Sequence, residues 1–301
     1  MKAVRFARYG GPEVLELVDV DAPHAQAGQI RVAVRAAGVN GLEWKIRQGL
    51  LRDVRPTRLP AGVGGDAAGI VDEVGAGVTG VQVGDAVFGS GRETYAEHAV
   101  LTSWAAKPAE VSFEEAAGFA TPFETALRVL DDAGVRGGHT VLVNGASGGV
   151  GSAAVQFAVA RGATVIGVAG PSNQDYLVSL GAVPTTYGPG LADRVRALAP
   201  AGVDAAVDVA GSGIIAELAA LTGDPARVVS IADFTATEHG ARVSTGFGRD
   251  RTTALREGAR VASAGRLSLP VTRTFRLAEA GAAQAASATG HVRGRIIVTV
   301  P

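Results

Sequence analysis

A chain of 301 residues is long enough for two domains, each able to bury its own core. It is 47% hydrophobic and 19% charged, with a net charge of −1, which gives no electrostatic reason to expect nucleic acid or an anionic membrane as partner. The absence of cysteine excludes disulfides and thiolate metal sites; no apolar run can span a bilayer and no leader precedes Met1, so the expected location is cytoplasmic.

Residues 1–110 read mostly as β. Ala3–Phe6 and Ile30–Arg35 alternate as half-buried strands do, with turn chemistry at Gly10-Gly11-Pro12 and Ala27-Gly28-Gln29. Short glycine-separated strands continue through Gly69–Val71 and Gly80–Phe88, a composition that suits a small irregular barrel. From Phe113 to Leu130 the period becomes helical.

Val141–Gly151 is the most informative stretch. The apolar run Thr140–Val143 has the character of a buried parallel strand and breaks into Asn144-Gly145-Ala146-Ser147-Gly148-Gly149-Val150-Gly151. Val155, Ala158 and Val159 then recur at helical spacing, and Ala163–Val168 closes a strand–turn–helix–strand unit of dinucleotide-binding length. Glycines at such a turn let the backbone approach a pyrophosphate, and the following helix start offers it free N–H groups. The turn residues Asn144, Gly145, Ser147, Gly148, Gly149, Val150 and Gly151 are therefore candidate cofactor contacts.

The second strand of an NAD-binding unit ends near an Asp or Glu that holds the ribose 2′-OH. Here it runs into Ala169-Gly170-Pro171-Ser172-Asn173, with no carboxylate before Asp175. Ser172 and Asn173 can instead hydrogen-bond a 2′-phosphate, so the expected cofactor is NADPH. Strands and helices alternate onward, with strands at Val203–Val209 and Ala226–Ile231, as in a parallel sheet covered on both faces. The tail, Gly290–Val300, is β again and most simply rejoins the first domain.

Several phrases taken together resemble the medium-chain dehydrogenase/reductase superfamily, and within it the zinc-free quinone oxidoreductase branch. They are Gly10–Leu15, Ala36–Asn40, Gly64–Gly69, Val83–Phe88, the Asn144–Gly151 turn and Val292–Val298, in family order. The resemblance implies an α/β protein in two domains separated by a cleft. A GroES-like, β-rich catalytic domain would take residues 1–114 and 270–301, and a Rossmann domain 115–269. It also implies Tyr187 at the 2′-phosphate, Ile231 and Ala232 as further cofactor contacts, and a homodimer. Zinc members carry a histidine where Gly65 stands and cysteines near Asn40 and Ala120. The five histidines here are too scattered for a metal site, so no metal is expected.

Without a Lewis acid, the expected chemistry is hydride transfer to an acceptor that needs little activation. A quinone or an α,β-unsaturated carbonyl qualifies, because its oxygen takes up the charge by conjugation. Family resemblance marks Asn40 and Thr121 as catalytic candidates, with a local turn residue and a helix-opening residue as the plainer alternatives. Lys45 is the third candidate. It is one of three lysines in an arginine-rich chain, and the Trp44-Lys45 pair resembles a subgroup that includes chloroplast-envelope homologues and enone reductases. Its alternative is a solvated surface lysine. Two other functions stay open: an enoyl-thioester reductase of a biosynthetic pathway, and a non-catalytic NADPH-binding protein like the ζ-crystallins.

Overall fold

The computed structural model describes residues 1–246 and 249–301. In chain order it begins with β1 (Lys2–Phe6), β2 (Glu16–Asp19), β3 (Ile30–Gly38), α1 (Gly41–Arg47), β4 (Ala61–Gly62), β5 (Asp66–Val74), β6 (Ala86–Arg92), β7 (His98–Ala106) and α2 (Phe113–Ala117). Next come α3 (Ala120–Asp132), β8 (Thr140–Asn144), α4 (Gly149–Ala160), β9 (Thr164–Ala169), α5 (Gln174–Ser179), β10 (Val183–Thr186), α6 (Leu191–Leu198) and β11 (Ala205–Asp208). The remainder is α7 (Ile215–Thr222), β12 (Val228–Ser230), β13 (Arg242–Val243), α8 (Arg251–Ser263), β14 (Val271–Arg276), α9 (Ala280–Ala288) and β15 (Arg295–Thr299). Among the described residues no helix is long and apolar enough to cross a membrane.

The chain forms two compact units. Unit 1 comprises Met1–Thr121, Asp250–Gly265 and Leu269–Pro301, and unit 2 comprises Pro122–Arg249 and Arg266–Ser268. These limits differ from the expected 1–114/270–301 and 115–269 at three places, the last being Leu269 alone. Residues 115–121 stay with unit 1, and so does α8, which packs on β7. Sequence neighbourhood pointed α8 toward the second domain; its packing face decides otherwise.

In unit 1, β1 joins β2 and β4 in a small sheet, and a larger one runs β14-β15-β3-β5-β6-β7. β7 also pairs with β3, closing β3, β5, β6 and β7 into the expected small barrel. Its core is built from the inward residues of these strands, among them Phe6, Ile30, Val32, Val71, Leu101 and Val298. The predicted helix 113–130 is two helices, with Ser112 capping α2 through Glu115 and a break at Gly118 and Phe119. A Cβ on Gly118 would lie 3.0 Å from the Arg295 Cγ, so a side chain there would crowd the path Arg295 takes into the unit.

Unit 2 holds a sheet ordered β10-β9-β8-β11-β12-β13 with every pairing parallel. β11 and β12 are buried at every position, and β8 and β9 at all but their first residues; helices cover both faces of such a sheet. The strand order reverses between β8 and β11, the point at which open α/β sheets form a crevice.

Candidate functional site

All the candidate cofactor residues of unit 2 lie at or just beyond the C-terminal ends of four parallel strands of one sheet. The glycine turn follows β8, Ser172 and Asn173 follow β9, Tyr187 follows β10, and Ile231 and Ala232 follow β12. A Cβ on Gly170 would come within 3.6 Å of the Tyr187 hydroxyl, so the Tyr187 ring stands beside the segment carrying Ser172.

Two glycines in the turn serve different ends. A Cβ on Gly151 would run into the Gly145 carbonyl oxygen, so Gly151 is required by the fold itself. A Cβ on Gly148 would meet nothing nearer than that same oxygen at 3.7 Å. Gly148 is the N-cap of α4 and contributes no side-chain cap, which leaves the first-turn N–H groups for an external acceptor. The turn therefore fits a dinucleotide's pyrophosphate. Gly148→Val is expected to leave the melting temperature unchanged and to weaken NADPH binding by at least about tenfold, or about 1.4 kcal/mol. Calorimetric titration checks this.

Beneath the turn runs a buried polar rung that sequence reasoning missed. The Asn144 amide donates to the Asp208 Oδ1 at 2.8 Å and to the Ser212 Oγ at 3.0 Å. The other Asp208 oxygen accepts the Ser230 hydroxyl at 2.8 Å, and Ser230 in turn accepts the N–H groups of Ala232 and Asp233. Asn144, Asp208 and Ser230 are the last residues of β8, β11 and β12 and stand in register. Asn144 thus shapes the crevice with an amide already committed to internal partners. The available signal was Asp208 itself, a carboxylate inside the apolar run Val203–Val209.

Unit 1 has a denser network. Asp66, fully buried at the start of β5, accepts the Thr121 hydroxyl at 2.8 Å, the Thr121 N–H at 3.0 Å, the Asn40 amide at 3.0 Å and the Ser90 hydroxyl at 3.3 Å. The Arg295 guanidinium lies 3.8 Å from Asp66 and donates to the Asn40 Oδ1 at 2.9 Å. Asn40 also donates to Glu43, so its amide hydrogens and its carbonyl oxygen are all engaged. Asn40 and Thr121 are brought together, then, by a residue the sequence reading left out. Both polar groups face the network.

Glu43 completes it. Its carboxylate accepts from the Tyr95 hydroxyl at 2.6 Å, the Asn40 N–H at 3.1 Å and the Gly65 N–H at 3.2 Å. Burial pushes the Glu43 carboxyl up to about 7, against the hydrogen bonds that hold it down. Burial and the adjoining Glu43 raise the Tyr95 phenol well above its ordinary value. A carboxyl raised in the folded state binds its proton more tightly than it does in the unfolded chain. Its stabilising contribution is full below the ordinary 4.5 and is lost as pH rises through about 7. Wild-type protein is expected to unfold at lower denaturant at pH 8 than at pH 5.5, with Glu43→Gln flattening that slope. An unchanged slope in the variant would assign it to other groups.

Lys45 stands apart. Two residues beyond Glu43 on α1, it is turned about 200° around the helix, away from the face that buries Glu43. Its ammonium lies 5.6 Å from the Trp44 ring centroid, and among the described residues it has no ion pair or hydrogen bond.

Comparison with known proteins gives two family matches. Residues 26–119 match the alcohol dehydrogenase GroES-like domain family, and residues 180–298 the zinc-binding dehydrogenase family. The chain is 41% identical over 185 residues to quinone oxidoreductase of Rattus norvegicus, an alignment spanning 59% of this chain and 55% of that protein. The chain thus spans about half the length of the curated relatives it matches. Among solved structures it is similar to the quinone oxidoreductase from Coxiella burnetii, at 30% identity and a TM-score of 0.85 over 100% of this chain and 99% of that one. It is also similar to a mycobacterial protein solved in complex with NADPH, at 26% identity and a TM-score of 0.87 over 99% and 100% of the two chains. The zinc in the second family's name finds no ligands here: among the described residues no three His, Asp or Glu side chains are grouped to hold a metal ion.

Proposed function

We propose, because this chain belongs to the medium-chain dehydrogenase/reductase superfamily on its quinone oxidoreductase branch, that it is a zinc-independent, NADPH-dependent reductase of quinones or α,β-unsaturated carbonyls. The observation that carries the reading is the set of cofactor candidates after the C-terminal ends of four parallel strands, β10, β9, β8 and β12, around the β8–β11 reversal. When bound, NADPH supplies the hydride. The α4 N-terminus holds its pyrophosphate, and Ser172, Asn173 and Tyr187 take its 2′-phosphate. In unit 1, Thr121 and Asn40, held by Asp66, and Lys45 handle the acceptor. A homodimer belongs to the same proposal.

Oxidation of NADPH in the presence of EDTA, followed with a panel of quinones, short enones and enoyl thioesters, tests this reading. Turnover confined to thioesters, or abolished by the chelator, would overturn it. Because no carboxylate stands at the end of β9 to hold a ribose 2′-OH, kcat/KM is expected to be roughly tenfold higher with NADPH than with NADH. Ser172, Asn173 and Tyr187 are neutral donors, and the Arg194 guanidinium beside Tyr187 is bonded to the Thr186, Gly188 and Pro189 carbonyls, which keeps the preference that small. Parity between the two cofactors would move Ser172, Asn173 and Tyr187 out of the proposed contact set.

A further inference from the structure

Tyr187 stands on a loop with little of its own to hold it. The segment between β10 and α6 is Tyr187-Gly188-Pro189-Gly190, and both glycines take left-handed backbone, with φ of 92° and 76°. Glycine has more conformational freedom to lose on ordering than any other residue. A Cβ on Gly188 would meet no atom within 4 Å, so the loop packs against nothing at that point. Tyr187 itself is 56% exposed, and its hydroxyl makes no hydrogen bond among the described residues.

Arg194, the fourth residue of α6, ties the loop down. Its guanidinium reaches back to three carbonyls that flank Tyr187 on both sides: Thr186 at 2.9 Å, Gly188 at 3.3 Å and Pro189 at 2.8 Å. A Cβ on Gly190 would lie 3.2 Å from the same guanidinium, so the glycine lets the arginine lie against the loop. A second tie comes from Gln174. Its amide donates to the Ala169 and Gly170 carbonyls at 3.2 and 3.0 Å and to the Thr185 carbonyl at 3.4 Å, joining the end of β9 to the end of β10.

The position is otherwise a poor one for an arginine. A cation near the start of a helix faces the positive end of its dipole. The neighbouring carboxylates are taken, Asp193 by Arg196 at 2.9 Å and Glu217 by the Ala192 N–H at 3.0 Å. Among the described residues Arg194 has no ion pair, and its Nε is buried without a partner. What these costs secure is the path of the Tyr187 loop. We propose that Arg194 is a positioning residue for cofactor specificity: by clamping the loop it holds the Tyr187 hydroxyl beside the segment carrying Ser172, ready for the 2′-phosphate of NADPH. The proposal rests on the contact set given above for Ser172, Asn173 and Tyr187. Holding a donor in its bound position removes the ordering cost that a free loop would meet on binding. The effect is confined to the 2′-phosphate, because the pyrophosphate belongs to the glycine turn.

Calorimetric titration of the full chain with adenosine 2′,5′-bisphosphate and adenosine 5′-monophosphate reads the 2′-phosphate alone and requires no turnover. Wild-type protein should favour the bisphosphate by about tenfold. Arg194→Met should bring that ratio within about twofold by weakening the bisphosphate while the monophosphate changes little. The milder Arg194→Lys should stay below about threefold, because one ammonium on a shorter stem cannot span three carbonyls. Amide hydrogens of residues 186–191 should exchange faster in both variants. Equal weakening of the two nucleotides would make Arg194 a support of the fold alone and overturn the proposal. A tenfold ratio kept in Arg194→Lys but lost in Arg194→Met would overturn it too, by assigning the effect to charge. Tyr187→Phe separates the two levels. Discrimination lost in Tyr187→Phe but kept in Arg194→Met removes the role of Arg194 and leaves the contact set standing. Equal affinities in wild type overturn the contact set itself, and the role of Arg194 with it.

Discussion

Lys45→Ala is expected to lower kcat by about two orders of magnitude while the NADPH dissociation constant changes little. Lys45 is a half-buried residue whose ammonium lies beside Trp44 and has no ion pair or hydrogen bond among the described residues, so no internal acceptor competes for its donors. A preorganised donor aimed at charge developing on an acceptor oxygen is worth roughly 2.7–4 kcal/mol in transition-state stabilisation. Lys45→Arg should not restore the rate, because a planar guanidinium neither matches a compact ammonium in reach nor presents the same point charge. Steady-state kinetics with the best quinone, paired with NADPH titration, checks both variants. If Lys45→Ala keeps near wild-type kcat, Lys45 is a surface lysine whose stem packs on Trp44. Thr121 and the cofactor would then carry the chemistry.

Asp66→Asn is expected to destabilise the protein by about 3–5 kcal/mol, the usual consequence of leaving a buried charge without its partner. Arg295 is buried and Asp66 is its ion-pair partner, with Glu43 contributing at longer range. An amide at position 66 can keep its oxygen where Oδ2 accepts the Thr121 N–H and the Asn40 amide, and its NH2 then faces the Ser90 and Thr121 hydroxyls at the Oδ1 position. Hydroxyls at Ser90 and Thr121 can rotate to accept, so the loss is dominated by the orphaned guanidinium. Removing that guanidinium as well, in Asp66→Asn/Arg295→Met, should recover part of the loss in urea unfolding. Strict additivity of the two substitutions would show that the pair is not coupled.

What could be read in the sequence was local. The β8–turn–α4 unit announces itself within a few residues because turn glycines, strand and helix signals are contiguous there. The absence of a carboxylate after β9 was equally plain. The polar networks were not, since their members meet only on folding: Asn144 and Asp208 are 64 positions apart, and Asn40 and Arg295 are 255 apart. Gly64–Gly69 and Val292–Val298 were both noticed as phrases, yet nothing in either said that Asp66 would meet Arg295. The break between α2 and α3 has the same origin, because the side chain crowding Gly118 is Arg295 again. Asn40, a catalytic candidate by resemblance, is also the knot joining two buried carboxylates to a guanidinium, which no local signal announced.

Unit 1 cannot be completed in the order in which its residues are made. β3 ends against β15, with Gly38, Ala37 and Ala36 opposite Ile297, Val298 and Thr299, and β15 follows every other element in sequence. During translation, β3 therefore leaves the ribosome with a bare edge, and Asp66 follows long before Arg295 exists to face it. Unit 2, whose main span is Pro122–Arg249, has its whole parallel sheet available while that edge still waits. The nascent chain thus holds the complete sheet of unit 2 before unit 1 has its last strand, and that same strand brings Arg295 to Asp66.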